Sequence, residues 1–290
     1  MTSTIDPGEI EEWCRIPIRD LENHPQARIK LRILDTPDEV HRWLARDMAD
    51  AVKEKGTAGL PTKWILPCGP TAQYPYFAKI VNDEQISLEQ VHVFHMDDYL
   101  DWEGRPLPLN HPFSMEGWMR RHFYASVDKT LQIPEENRHF PRIGDLDGIA
   151  DSILAFGGID TTYGGVGYRG HIAYNEPPRS PWYTVTMEQF KHSKTRVLHL
   201  NEDTLIAVSQ RRAGGCSHVV PPMAITLGMA ELLSARRIRL AIDTGAWKQT
   251  VLRVLLFSQP TLEYPVTLVQ GHPDVMVVVD RLTAESPLED

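Results

Sequence analysis

The sequence predicts an α/β fold, with a mostly parallel sheet covered by helices on both faces. Short apolar strand candidates alternate with amphipathic helical segments along the 290 residues, which is typical of parallel sheets joined by right-handed crossovers. The last strand candidate, 274–279, is apolar on both alternating faces, as expected of a strand between two helical layers. With 42% hydrophobic and 24% charged residues, the composition is that of a globular protein.

The predicted elements follow one another in a regular order. After a strand candidate at 29–34, the segment Thr36-Pro37-Asp38-Glu39 combines capping-box spacing with proline at the first helical position. The helix that begins there runs to about Lys55 and places its apolar side chains near one face. Further strand candidates lie at 64–67, 91–96, 158–163 and 238–242.

The N-terminal segment differs from the rest of the chain. Residues 1–27 carry mixed charge and scattered prolines without clear periodicity. We therefore expect an N-terminal extension that packs on the domain or on a neighbouring subunit. Residues 28–290 contain no internal repeat and no low-complexity linker, and we expect them to form a single α/β domain.

Charge and composition exclude several classes of partner. The net charge of −9 argues against nucleic acid, whose binding needs concentrated lysine and arginine. An anionic small molecule stays open, because a few cations and backbone amides can hold a phosphate inside an acidic protein. The sequence shows no secretory signal and no run of about 20 apolar residues, so we expect a cytoplasmic protein without membrane contact. Its three cysteines have no zinc-type spacing, which fits a reducing compartment.

Polar clusters stand at the ends of four strand candidates. In an open parallel sheet, the loops that follow the strands lie at one edge, and ligands bind at that edge. The sequence therefore predicts a ligand site built from four segments: Cys68 to Thr71, Asp97 to Tyr99, Gly164 to Glu176, and Thr244 to Lys248.

The strongest signal is the stretch GGVGYRGHIAYNEP from Gly164 to Pro177. Its glycines allow positive φ and a close approach of the backbone to a ligand. A neutral imidazole at His171 can shuttle a proton, and the nearby carboxylate of Glu176 can fix its tautomer. The alternative is a glycine-rich turn with a structural, hydrogen-bonded histidine.

Asp97 and Asp98 form a carboxylate pair at a strand end. Two adjacent carboxylates can raise one another's pKa and leave one of them as a base. The alternative is a helix-capping or solvated aspartate. A metal held by His95, Asp97 and Asp98 is disfavoured, because adjacent strand positions point to opposite faces.

Cys68-Gly69-Pro70-Thr71 lies between a strand and a helix, where backbone amides and a hydroxyl can bind an anion. It is neither a Walker loop nor a GxGxxG motif, so it is a weak signal alone. Lys248 can add a positive charge to the same anion, although a lysine on a helix is usually just solvated.

Taken together, these stretches resemble the glucosamine-6-phosphate deaminase (isomerase) family, within the larger group that includes the 6-phosphogluconolactonases. The likeness runs from about residue 29 to about residue 283. It rests on MDDY at 96–99, HP at 111–112, GGVG followed by GHIAYNEP, AITLG at 224–228 and the TGAWK turn. GHIAYNEP favours the deaminase branch over the lactonases.

The resemblance implies a Rossmann-like strand order and an aldose–ketose isomerisation coupled to loss of the C2 amino group as ammonia. It implies that Asp97 moves the proton between C1 and C2, and that His171 opens the sugar ring with help from Glu176. It further implies that Thr71 and Lys248 hold the phosphate, that no metal or organic cofactor is needed, and that the protein forms a homo-oligomer. The remaining residues that we expect to contact substrate are Cys68, Gly69, Asp98, Gly165, Arg169, Gly170 and Asn175.

At three positions where the family binds or activates its substrate, this sequence departs from the family pattern. Arg169 stands where the family has an aspartate of the ring-opening relay, and this cation beside His171 can instead bind an acidic group of the substrate. Pro70 replaces a glycine of the phosphate loop and removes one N–H donor. Gln210 aligns with a phosphate-binding arginine, although Arg211 and Arg212 are adjacent and can substitute.

These departures leave three functions open. We expect an enzyme that isomerises a hexosamine phosphate or a related acidic sugar, with or without loss of ammonia. The alternatives are a non-catalytic protein that binds a sugar phosphate and a hydrolase like the 6-phosphogluconolactonases.

Overall fold

A computed structural model describes residues 5–288. The strands are β1 (Lys30–Leu34), β2 (Thr62–Leu66), β3 (Val91–His95), β4 (Asp97–Leu100), β5 (Arg138–His139), β6 (Thr161–Gly165), β7 (Arg196–His199), β8 (Met223–Thr226), β9 (Arg237–Ile242) and β10 (Val275–Asp280). The α-helices are α1 (Pro7–Arg15), α2 (Ile18–Leu21), α3 (Pro37–Thr57), α4 (Gln73–Asp83), α5 (Met115–Trp118), α6 (Gly148–Ala155), α7 (Met187–Lys191), α8 (Glu202–Arg212), α9 (Met229–Leu233), α10 (Gln249–Phe257) and α11 (Arg281–Ala284).

Seven strands form a parallel sheet in the order β1-β10-β9-β6-β2-β3-β5. The order reverses between β2 and β6, because the chain builds outward from β2 in one direction and from β6 in the other. A crevice opens at such a switch point, beyond the carboxyl ends of the strands. The prediction of a parallel α/β sheet is confirmed, and the loops after β2 and β6 border the crevice.

The sheet separates two hydrophobic cores, as alternation along β2 shows. Trp64 and Leu66 belong to the core that α3 and α4 cover, whereas Ile65 belongs to the opposite core, which α10 covers. The capping box at the start of α3 is confirmed, since the Thr36 hydroxyl accepts from the Glu39 amide and the Glu39 carboxylate accepts from the Thr36 amide, both at 3.2 Å.

A second, three-stranded antiparallel sheet, β4-β8-β7, was not predicted. We expected Asp97 to Tyr99 to be the polar end of a parallel strand. Instead the parallel strand ends at His95, and Asp97 begins β4, which pairs with β8. The strand predicted at 158–163 also begins later, at Thr161, because Gly158 has a φ of 95°.

The N-terminal segment lies against the C-terminal part of the fold. Helix α1 packs on α10, where the Cys14 thiol lies 3.7 Å from the Thr250 hydroxyl. Leu21 of α2 is fully buried in the core on that side. Within residues 5–288, no helix is long and apolar enough to cross a membrane.

Candidate active site

A cavity of about 390 Å³ lies beyond the carboxyl ends of the strands, within the size range of small-ligand sites. All four predicted clusters contribute to its wall. Seven of the twelve predicted site residues line it: Cys68, Gly69, Thr71, Asp97, Gly165, His171 and Lys248. The other five, Asp98, Arg169, Gly170, Asn175 and Glu176, are not among its lining residues.

Asp97 presents a carboxyl group to the cavity from the first position of β4. The residue is 5% exposed, and its Oδ1 is buried without a hydrogen-bond partner. Burial, and secondarily the charge of Asp98, raise the pKa of Asp97 to about 8. A carboxyl group with a pKa near neutrality can both accept and return a proton.

Asp98 has a structural role, in place of the predicted contact with substrate. Its carboxylate accepts hydrogen bonds from the amides of Met115 and Glu116, at 2.8 and 3.0 Å, and so caps the N-terminus of α5. It also accepts from the amide of Tyr99 at 2.8 Å. Adjacent strand residues point to opposite sides, which separates the two aspartates.

His171 brings an imidazole to the cavity from the loop after β6. Its Nδ1 is buried without a hydrogen-bond partner. Burial and the charge of Lys248 lower the pKa of His171 to about 3, against an opposing effect of Asp203. The imidazole is therefore neutral at pH 7 and can take or give a proton. The ring fits because Gly167, whose amide bonds the His171 carbonyl at 2.7 Å, has no side chain.

Glu176 lies behind the cavity wall at the N-terminus of α8. Its Oε2 accepts from the Asn201 amide at 2.7 Å, and its Oε1 is buried without a hydrogen-bond partner. Burial raises the pKa of this carboxyl group. Within the described residues no hydrogen bond joins Glu176 to His171, whose Nδ1 has no partner, so the structure does not show the predicted fixing of the imidazole tautomer by Glu176.

Gly170 and Asn175 shape the loop, and neither of these two predicted site residues lines the cavity. Gly170 has a φ of 65° and lies against Tyr264. The amide nitrogen of Asn175 donates to the carbonyls of Ile172 and Leu227, and its oxygen accepts from Arg196 at 2.9 Å. With its side chain fully buried and its polar atoms paired, Asn175 has no group left for a ligand.

Arg169 does not point its charge into the cavity, contrary to the prediction that it binds an acidic substrate group. Its guanidinium lies 3.8 Å from the Asp203 carboxylate and 3.7 Å from that of Glu263. It also stacks over the Tyr264 ring, with 5.3 Å between Cζ and the centroid. Two carboxylates from distant segments thus hold the cation outside the cavity.

The cationic end of the cavity is formed by Lys248 and Arg211. Lys248 is 4% exposed and donates to the Val166 carbonyl. Burial and the charge of Arg211 lower the pKa of Lys248 to about 8, against an opposing effect of Asp243. The Arg211 guanidinium lies over the Trp247 ring at 5.6 Å. Both cations line the cavity, so an anionic ligand has two positive partners at this end.

The loop before α4 completes this end. Pro70 packs against Gly165 so tightly that a Cβ on Gly165 would lie 2.6 Å from the proline Cγ.

Gln210 is not among the lining residues, whereas Arg211 and Arg212 are. The Arg212 guanidinium lies over the Phe113 ring, 5.1 Å from its centroid. Its charge lowers the pKa of Tyr99, on the Asp97 side of the cavity, against the effect of burial.

Several lining residues were not predicted. Tyr174 belongs to the quoted GHIAYNEP stretch, and its ring lies 5.6 Å from that of Tyr99. Asp243 directly precedes the predicted Thr244 cluster and pairs with His41 at 2.5 Å. No sequence pattern pointed to Thr204, because it lies in α8, within a polar segment that contains no motif. Among residues 5–288, no three His, Cys, Asp or Glu side chains are grouped so that they can hold a metal ion.

The fold and the cavity define a doubly wound α/β protein with a partly cationic small-molecule site. No family model matches the sequence. Glucosamine-6-phosphate deaminases of Cronobacter sakazakii and Aeromonas salmonicida are 33% and 31% identical to the chain, over 87% of it and 91% of each relative. A solved monomeric glucosamine-6-phosphate deaminase, 26% identical, covers 88% of the chain and 99% of its own, with a TM-score of 0.75. A 6-phosphogluconolactonase from Trypanosoma cruzi, 15% identical, covers 90% and 98% with a TM-score of 0.65, which shows a shared fold alone.

The identity and coverage of the first two relatives decide the assignment. The chain belongs to the glucosamine-6-phosphate deaminase family of enzymes.

Proposed function

We propose that the protein isomerises the aldose form of a hexosamine phosphate, or of a related acidic sugar, to the ketose and releases the C2 amino group as ammonia. One observation carries this proposal. Asp97 and His171 line the same cavity, and each has a buried polar atom without a hydrogen-bond partner. Such atoms are costly unless a ligand or water completes their bonding.

In the proposed reaction, His171 first opens the sugar ring. The neutral imidazole takes the proton from the hydroxyl at C1 and returns a proton to the ring oxygen. Ionised Asp97 then removes the proton from C2, while one proton of the C2 ammonium group passes to the aldehyde oxygen, which gives an enolamine. Protonated Asp97 returns its proton to C1, which leaves a hydroxyl at C1 and an iminium group at C2. Water adds to this carbon and ammonia departs, so the products are a ketose phosphate and ammonia.

We propose that the phosphate of the substrate binds at the cationic end of the cavity. Lys248 and Arg211 supply positive charge there. The Cys68 to Thr71 loop precedes the N-terminus of α4, where the helix dipole favours an anion. Placing the phosphate at this end leaves the other carbons of the sugar to extend toward Asp97 and His171.

A panel of amino, plain and acidic hexose phosphates, scored for ammonia and for ketose, tests the function. We expect turnover of at least one amino sugar phosphate. Saturable binding without turnover of any compound would indicate a binding protein. Hydrolysis of phosphogluconolactone, without ammonia or ketose, would indicate a lactonase.

The role of Asp97 is tested with a matched pair of variants. Asp97→Asn should abolish exchange of the C2 hydrogen with solvent deuterium, because the amide cannot act as the base, and should leave substrate binding nearly intact. Asp98→Asn should retain exchange, since that side chain caps α5 and does not line the cavity. Unchanged exchange in Asp97→Asn would remove this residue from the mechanism.

We also propose that the protein is cytoplasmic and that it forms a homo-oligomer, the latter because the resemblance implies it. The three cysteines are unpaired, which fits a reducing compartment. The solved deaminase described as monomeric makes the assembly state worth measuring, and light scattering of the purified chain decides it.

A further inference from the structure

The surroundings of His171 disfavour the protonated form of its imidazole, because the ring is buried and Lys248 places a positive charge near it. Ring opening as proposed above passes through that form. Arg169, two residues away in the chain, carries a further positive charge, which the structure holds outside the cavity. A carboxylate must therefore offset these charges if the imidazole is to carry a proton during turnover.

We propose that Asp203 is a positioning residue for His171, which neutralises Arg169, holds it out of the cavity and supports the imidazolium formed during ring opening. This inference rests on the proposed function of His171. Arginine at position 169 cannot supply a negative charge to the His171 imidazolium. The proposal assigns that part to the carboxylate of Asp203, on a different segment of the chain.

The contacts of Asp203 carry the proposal. Its Oδ2 accepts a hydrogen bond from Arg179 at 2.9 Å and lies 3.8 Å from the Arg169 Nε. That Nε is buried and has no hydrogen-bond partner, so ion pairing with carboxylates is what compensates its charge. The Asp203 side chain is 22% exposed, which leaves its interactions only partly screened by solvent.

The helix that carries Asp203 also contacts both the cavity and the loop of His171. Thr204, the next residue, lines the cavity. Asn201, at the start of α8, donates its amide to Glu176. One turn of helix therefore holds Glu176 and supplies Asp203, and a shift of this turn would be transmitted to the His171 loop.

The charges around His171 come from several elements. Lys248 follows β9, Arg169 and Glu176 belong to the loop itself, and Asp203 belongs to α8. The Tyr174 ring lies 6.2 Å from the imidazole, and Glu263 faces Arg169 from the other side. Lys248 lowers and Asp203 raises the pKa of His171. Among residues 5–288, removing Asp203 leaves Glu263 as the one carboxylate paired with Arg169, beside the Tyr264 ring.

Four variants test the inference in the full chain. Asp203→Asn should lower kcat by roughly 10- to 100-fold with little change in KM, since the loss falls on proton transfer. Adding Arg169→Asp to it should restore most of the activity, because the cation that Asp203 neutralises is then absent. Arg169→Gln alone should leave KM within about twofold, since no substrate contact is lost. Glu202→Gln, on the same turn, is the control and should behave as the wild type.

A measurement independent of turnover separates failure of this inference from failure of the proposed function. The pKa of the His171 imidazole, measured by ¹⁵N NMR titration of its ring nitrogens with inorganic phosphate added, should be lower in Asp203→Asn than in the wild type and unchanged in Glu202→Gln, because Asp203 raises it. An unchanged pKa in Asp203→Asn, or no recovery in the Arg169→Asp double variant, would overturn the role of Asp203. If Asp203→Asn does not fold, Asp203→Glu and Arg169→Gln carry the test, and a raised KM in Arg169→Gln would overturn it. A wild type that shows no turnover would instead refute the proposed function.

Discussion

Gly167 is the residue whose substitution gives the sharpest test of the imidazole position. A Cβ built on Gly167 would overlap Nε2, Cε1 and Cδ2 of the His171 ring, well inside the 3.0 Å that real Cβ atoms keep from their neighbours. Gly167 has no positive φ, so alanine adds no backbone strain there. The whole effect of Gly167→Ala therefore falls on the imidazole.

The expected magnitude follows from the displacement. Because the ring must move by on the order of 1 Å, and such a misplacement costs about 100-fold in rate, we expect at least that loss of kcat/KM. The upper limit is the full contribution of a general acid–base, about 10⁴-fold. Asp97 is not displaced by the added methyl group, so exchange at C2 of substrate that is already open-chain should survive better than turnover.

The assay is ketose and ammonia formation by Gly167→Ala, with Gly144→Ala as the control, because a Cβ on Gly144 meets no atom within 4 Å. Adding His171→Ala to Gly167→Ala should lower kcat/KM little further, because the two substitutions impair the same function, proton transfer by the imidazole. Wild-type kcat/KM in Gly167→Ala, with an unchanged melting temperature, would refute the assignment of His171.

Two further predictions concern charge. A plot of kcat/KM against pH should be a narrow bell centred near 8, because Asp97 must lose its proton and Lys248 must keep its own, and both have a pKa of about 8; a flat profile between pH 6 and 9 would contradict these assignments. Arg211→Gln should raise KM for the sugar phosphate by roughly 10-fold, the loss expected of one charge-assisted hydrogen bond, while Gln210→Ala should leave KM unchanged because Gln210 does not line the cavity. Equal effects of these two substitutions would place the phosphate elsewhere.

The parallel sheet and most of the cavity wall could be predicted from local patterns. Apolar strand candidates set the order of the elements, and the polar residues that follow a strand must lie at its carboxyl end. Asp97, His171 and Lys248 were placed at one edge on this ground, and all three line the cavity. The capping box at Thr36 is a purely local signal, and it is present.

What could not be predicted depends on contacts between distant segments. The direction of the Arg169 side chain is one example, because proximity to His171 in sequence does not fix it, and its partners Asp203 and Glu263 come from other elements. The pairing of β4 with β8 joins positions more than a hundred residues apart, and no periodicity reveals it. Whether Gln210 or Arg211 faces the cavity depends on how α8 is rotated about its axis, which the sequence does not reveal.

The contact between Pro70 and Gly165 couples the loop after β2 to the end of β6. With the pyrrolidine ring filling the space where a side chain at 165 would stand, no side chain can be added at position 165 while Pro70 is in place. The proline also withholds one amide from the anion and stiffens the backbone around the others. If an anion binds at this end of the cavity as proposed, Lys248 and Arg211 contribute more to its recognition than the main chain does, and their attraction weakens as salt is added.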